Sequence, residues 1–175
     1  KDLIEQSLKN KKIDSQVYEI IHTEDSIKNE DSALAAAKRG KKTSMWLSVE
    51  SVKNNNSDIV LSAGNTGALF VIAKLNLDMI ENIDKPALSG LWPNKTGMNI
   101  VLDLGANIEC NEKNLKDFSI MGAALHKSLY PNEVSKVALL NIGSEELKGN
   151  SIIRNTYQEL SKYNNSIFEF KGYVE

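Results

Sequence analysis

The order of elements in this chain predicts an α/β fold, with helices layered around a mixed, mostly parallel sheet. Two observations carry that expectation. Short apolar, β-branched runs alternate with longer stretches of helical periodicity, and three of those runs end in glycine plus a carboxamide. These are Ser62-Ala63-Gly64-Asn65-Thr66-Gly67, Asp103-Leu104-Gly105-Ala106-Asn107 and Asn141-Ile142-Gly143, the last followed by Lys148-Gly149-Asn150. A third observation is the turn Pro93-Asn94-Lys95-Thr96-Gly97 between two strand-like runs. It adds an antiparallel pair and makes the sheet mixed. At 175 residues the chain is most simply a single α/β domain, 1–175, long enough to bury a real core.

The elements follow in order. Leu3, Ile4 and Leu8 in a polar background predict an opening amphipathic helix, and Val17–Ile21 a short strand. Glu24–Asp31 is charged and reads as a loop. Ala33–Lys38 and Met45–Val52 have helical composition and are separated by Gly40. Asn54-Asn55-Asn56 ends that stretch, and Asp58–Ser62 is a β-branched strand. Thr66–Leu77 is apolar on most faces and predicts a buried helix. Pro86–Trp92 and Met98–Leu104 are the hairpin strands. Leu115–Leu129 carries Leu115, Phe118, Met121 and Leu125 close to helical period. Val134–Ile142 reads as a buried strand, Ile152–Leu160 as a helix and Ile167–Phe170 as the last strand.

Composition excludes several classes. Net charge is −2, and no Lys/Arg run alternates with aromatics, so nothing points to nucleic acid. No apolar run reaches the ~18 residues that span a bilayer. The lone cysteine, Cys110, precludes an internal disulfide and fits a reducing cytosol. With His22 and His126 it forms no metal-ligand spacing, so no metal is expected. The chain opens at Lys1 and stops just after a strand-like run, which reads as a piece of something longer.

Glycine lets backbone N–H groups turn toward a ligand, and a helix that opens after such a turn aims its positive dipole at the same spot. Three such loops, the last carrying a lysine, look built for an anion. Spacing alone leaves open whether they converge. The hairpin sends the second loop to the opposite edge unless the linker Met79–Lys85, spanning roughly 24 Å at ~3.4 Å per residue, brings it back.

The segment Asp58-Ile59-Val60-Leu61-Ser62-Ala63-Gly64-Asn65-Thr66-Gly67-Ala68-Leu69 resembles the signature of the bacterial phosphate acyltransferases of phospholipid synthesis. The similarity continues through Lys85-Pro86-Ala87-Leu88, Leu102–Asn107, Phe118–Gly122 and Leu139–Gly143 with Glu145, Glu146, Lys148, Gly149 and Asn150. Upstream, Lys41-Lys42 before Thr43-Ser44-Met45 fits, with threonine where the family pattern has serine. The resemblance implies transfer of an acyl group from acyl-acyl carrier protein to inorganic phosphate, without a cofactor. It also implies a cytoplasmic homodimer, with any peripheral membrane contact left to regions outside this chain. The implied fold is similar to those of the phosphotransacetylases and the isocitrate and isopropylmalate dehydrogenases. An N-terminal strand with a Gly-Gly-Asp loop and a long C-terminal region of the family have no counterpart here, so the site on this piece is expected to be incomplete.

Attack by phosphate on a thioester builds a tetrahedral oxyanion, which calls for donors aimed at the developing charge. In this reading the backbone of Gly64–Gly67, with Ser62, Asn65 and Thr66, cradles the anion, and Asn107, Lys42 and Ser44 face the same pocket. For an isolated motif, Asn65 or Thr66 as a helix cap is the simpler reading, and the resemblance reverses that preference. Lys148 is the leading catalytic candidate, a point charge on a flexible stem, although most lysines are solvated surface groups. Asn150 either donates to the oxyanion or starts the next helix; Asn107 has the same two readings. Asp103 repels phosphate, so it is expected to accept glycine-loop amides or to orient Lys148. Glu146 is placed in the same supporting role, and Glu145 and Glu146 as a solvated acidic turn remain the simpler view. Cys110 has no marked base and reads as incidental. The cluster Lys38-Arg39 with Lys41-Lys42 either steers an acidic carrier protein or is a solvated helix end. Two alternatives stand beside the main reading: a phosphotransacetylase-like enzyme using acyl-coenzyme A, and an inactive truncated binding module.

Overall fold

A computed structural model describes residues 1–95, 97–143, 148–164 and 166–175. The chain divides into two compact units, Lys1–Asp78 and Met79–Glu175.

The first unit is helical. Helix α1 spans Asp2–Asn10, as its period predicts, yet Leu3 and Ile4 stay exposed. Val17–Ile21 does not form the expected strand: Ser15–Val17 is a 3-10 turn opened by the Asp14 carboxylate, which accepts from Gln16 N, and irregular backbone follows. Helix α2 spans Ala33–Lys38, helix α3 Ser44–Lys53 and helix α4 Thr66–Asn76. Each opens on a side-chain cap, in turn Ser32, Thr43 and Asn65, whose oxygen satisfies an otherwise orphaned amide of the first turn. Gly40, at φ +92°, turns the chain between α2 and α3. Asn55, at φ +59°, ends the run after α3 in a conformation asparagine tolerates. Ala36, Met45, Trp46, Val49, Ala68 and Ile72 form the core, joining α2, α3 and α4. The segment Asp58–Ser62 is irregular and unpaired, with Ile59 and Leu61 exposed. Its β-branched composition suits a strand, but a strand exists only where a neighbour completes the ladder, and no described residue does so here.

The second unit is mixed. Strands β1 (Gly90–Pro93) and β2 (Met98–Val101) form the expected hairpin, with Gly90 opposite Val101 and Pro93 opposite Met98. Helix α5 (Glu112–Leu129) starts at a reciprocal cap: Asn111 accepts from Asn114 N, and the Asn114 side chain accepts from Asn111 N. Strand β3 (Lys136–Leu140), helix α6 (Ser151–Lys162) and strand β4 (Glu169–Val174) make a strand–helix–strand unit in which β3 and β4 are parallel. Ala123, Leu139, Leu160 and Phe168 are its buried centre, with Ile120, Val137, Ile153 and Tyr157 packed around them.

The α/β class holds, but the single mixed sheet does not appear. The described residues form two separate two-stranded sheets, one antiparallel and one parallel. The expected strands also shorten. Residues 86–88 and 102–104 fall outside the ladder, although Leu104 N still donates to Leu88 O at 2.9 Å; Leu88 N donates instead to the Asp103 carboxylate.

Candidate functional site

The expected site residues fall into both units. Lys42, Ser44, Ser62, Gly64, Asn65, Thr66 and Gly67 lie in the first; Asp103, Asn107, Lys148 and Asn150 lie in the second. Glu145 and Glu146 lie outside the described residues.

In the first unit, Asn65 is fully committed. Its Oδ1 accepts from Ala68 N at 2.9 Å, capping α4. Its Nδ2 donates to the carbonyls of Asp31 at 2.8 Å and Asn29 at 3.1 Å. The same loop is held from the other side by Arg39, whose guanidinium grips the Asp31 carboxylate at 2.8 and 3.0 Å. Arg39 is therefore tied to this loop, although it is exposed like Lys38, Lys41 and Lys42. Ser62 Oγ accepts from Gly64 N at 3.2 Å and shapes the approach to the helix.

What the first loop leaves open is its backbone. Thr66 and Gly67 are exposed, and their N–H groups have no partner among the described residues. The start of α3 lies alongside: the Met45 methyl sits 3.3 Å from where a Cβ on Gly64 would stand. At that start the Ser44 amide is spoken for by Asp25 O at 3.0 Å, and Lys42 O accepts from Thr23 Oγ1 at 2.6 Å. Of these two, Ser44 can thus offer its side chain only. Two helix N-termini, two unsatisfied amides and an exposed lysine make an electropositive surface suited to an oxyanion.

In the second unit, Asp103 does accept loop amides, as expected. Oδ1 takes Leu88 N at 2.8 Å, and Oδ2 takes Asn107 N at 2.7 Å. Burial pushes this carboxyl up, but the donors from Leu88, Asn107 and Ala106 outweigh it and hold the group below the usual aspartate range. Asn107 Nδ2 donates to Asp103 Oδ2 and to Pro86 O, each at 2.9 Å. Both Asn107 donors therefore serve the loop itself.

The third loop is organised around Asn141, nine-tenths buried at the end of β3. Its backbone amide donates to Val174 O at 2.8 Å, and its Nδ2 to Gly143 O at 3.0 Å and Lys148 O at 3.2 Å. Asn150 caps α6 by accepting from Ile153 N at 2.9 Å, and Lys148 is exposed. Arg154, one turn into α6, donates Nη1 to Gly149 O at 2.7 Å. Arg154 escaped the sequence reading because its partner is a main-chain carbonyl, which leaves no side-chain signature. The available signal was rarity: it is one of two arginines among 21 basic residues.

Comparison with known proteins agrees with the motif order. The chain is 70% identical over 158 residues to a phosphate acyltransferase of Pelagibacter ubique strain HTCC1062, covering 90% of this chain and 47% of that protein. It is 41% identical over 159 residues to the phosphate acyltransferase of Maricaulis maris strain MCS10, covering 91% and 45%. For that of Rhodopseudomonas palustris strain BisA53 the values are 44% over 160 residues, 91% and 46%. The chain thus spans about half the length of the curated relatives it matches. The family described as fatty acid synthesis protein matches across residues 1–175, and the chain belongs to that family.

Proposed function

We propose that the full-length protein is a phosphate acyltransferase that moves a fatty acyl group from acyl-acyl carrier protein to inorganic phosphate, giving an acyl phosphate for phospholipid synthesis. The observation that carries the reading is the open first turn of α4, where the exposed Thr66 and Gly67 amides stand beside the Lys42 and Ser44 end of α3. Phosphate is anionic at neutral pH and needs placement more than deprotonation. Its oxygen attacks the thioester carbonyl, the carbon–sulfur bond breaks after the tetrahedral stage, and the thiolate leaves with the phosphate proton. Lys148 and Asn150 are assigned to the oxyanion that forms between these events. Asp103 and Asn107 act by holding the second loop in shape. Assembly as a cytoplasmic homodimer belongs to the same reading and is drawn from the family resemblance. Among the described residues no helix is long and apolar enough to cross a membrane.

The experiment is phosphate-dependent acyl-phosphate formation by the purified full-length protein, with carrier-protein and coenzyme A thioesters supplied separately. Turnover with the carrier-protein thioester is expected, and Lys148→Ala lowers it sharply while the protein stays folded. Reaction with the coenzyme A thioester alone defeats the donor assignment. Wild-type kcat in Lys148→Ala removes the lysine from the mechanism.

A further inference from the structure

We propose that Asn141 and Arg154 form a two-point clamp on the main chain at Lys148–Gly149 and are positioning residues for Lys148. The inference rests on the reading of Lys148 given above. Two consecutive carbonyls are held by side chains from two different elements: Lys148 O by Asn141 Nδ2 at 3.2 Å, and Gly149 O by Arg154 Nη1 at 2.7 Å. Asn141 is itself fixed to the end of β4 through Val174 O at 2.8 Å, and Arg154 is fixed by α6. The backbone carrying Lys148 is therefore referenced to both the parallel strand pair and the helix.

Two details argue that this is more than loop packing. Gly149 adopts φ +88°, and a Cβ there would stand 2.5 Å from Asn141 Oδ1, so the turn closes against Asn141 at a distance only glycine permits. Asn141 Oδ1 is buried with no hydrogen-bond partner among the described residues. A buried carboxamide that leaves an acceptor unsatisfied is costly, and its retention suits the job done by its other end. Arg154 also sits near the N-terminus of α6, where a cation opposes the helix dipole. That placement makes sense if the guanidinium is kept for its grip on Gly149.

The test uses steady-state kinetics of the full-length protein with inorganic phosphate varied and acyl-carrier protein as donor. Arg154→Met is expected to lower kcat about tenfold or more, as small misplacements of a reacting group do, with the KM for the acyl donor unchanged. Arg154→Lys keeps a charged donor within reach of the same carbonyl and should restore most of the loss. Asn141→Ser retains a shorter donor and should be intermediate between wild type and Asn141→Ala. Combining Arg154→Met with Lys148→Ala should give a rate no lower than Lys148→Ala alone, because the clamp acts through the lysine. Wild-type kcat in both Arg154→Met and Asn141→Ala, with Lys148→Ala impaired, overturns the clamp while leaving the lysine assignment intact. Losses that multiply with Lys148→Ala, or that Arg154→Lys fails to rescue, also overturn it. If Lys148→Ala itself is fully active, the underlying reading is what fails.

Discussion

Through a single oxygen, Oδ2, Asp103 accepts both amides of Asn107, the backbone at 2.7 Å and the side chain at 2.9 Å. Its other oxygen takes Leu88 N at 2.8 Å, so one carboxylate knots the glycine loop to a segment 15 residues earlier. The negative charge of Asp103 is thereby met by donors of the segments it ties together.

That arrangement sets an acid dependence. Burial raises the Asp103 carboxyl, but its donors leave it below the ordinary value of about 3.9. A folded value below the unfolded one means the ionised group stabilises the fold. The contribution is fully present above about pH 4 and disappears as pH falls through the lowered folded value. Asp103→Asn forces an NH2 group against at least one of these amides and is expected to cost about 1–3 kcal/mol at neutral pH. Urea unfolding at neutral and acid pH checks this: the gap between wild type and variant should narrow in acid, and a constant gap would exonerate the charge.

Asn65 allows the structural and ligand-binding readings of the first loop to be separated. Asn65→Ala loses the α4 cap, for about 1 kcal/mol, together with the tie to residues 29–31. Asn65→Asp keeps the capping oxygen but sets a carboxylate oxygen against the carbonyls of Asn29 and Asp31, so it too should lower the thermal midpoint. Its added carboxylate also lies next to the open Thr66 and Gly67 amides. If those amides hold phosphate, the phosphate KM rises at least severalfold while the acyl-donor KM holds steady. An unchanged phosphate KM would move the anion elsewhere.

Several helix starts were legible because they are written in one short polar residue: Ser32, Thr43, Asn65 and Asn150 each accept from an amide in the first turn. The start of α5 was placed at Leu115, too late, because Asn111 caps it ahead of a polar turn, Glu112-Lys113-Asn114. Strands were less so. Val17–Ile21 and Asp58–Ser62 have strand composition, but pairing depends on a partner distant in sequence, which local pattern does not encode. The carboxamides show the same limit. That Asn107 follows a glycine turn was visible; that its side chain would be spent on Pro86 O and Asp103 was not, because main-chain acceptors carry no residue label.

Lys113 supplies an alkaline counterpart. Its ammonium meets Asp117 at 2.8 Å, Asp84 at 3.0 Å and the Asn82 carbonyl at 2.7 Å, pinning the segment before the hairpin to α5. The hydrogen bond to Asp117, followed by that to Asp84, raises its pKa above the ordinary lysine value. A raised folded value stabilises below the unfolded pKa and is lost as pH climbs through the folded one. Lys113→Met is therefore expected to match wild type more closely in strong alkali than at neutral pH. The effect should be small, because the group is solvent-screened. Proteolysis between residues 79 and 85, compared at the two pH values, reads the local release directly.

Gly149 and Asn141 give the most exacting steric prediction. Alanine at 149 meets two separate penalties. A residue with a Cβ at φ +88° costs about 1–2 kcal/mol in backbone strain, and that Cβ stands 2.5 Å from Asn141 Oδ1. Backbone strain belongs to position 149 alone, whereas the collision belongs to the pair. Gly149→Ala should therefore be strongly destabilising by itself, and Asn141→Ala moderately so through the lost donors to Gly143 and Lys148. The double variant removes the collision but keeps the strain, so its loss should fall short of the sum of the singles by roughly 1 kcal/mol or more. A double-mutant cycle by denaturant unfolding measures that coupling. Strict additivity would mean that the loop relaxes away from Asn141 and that the close approach at Gly149 is not what sets its residue type.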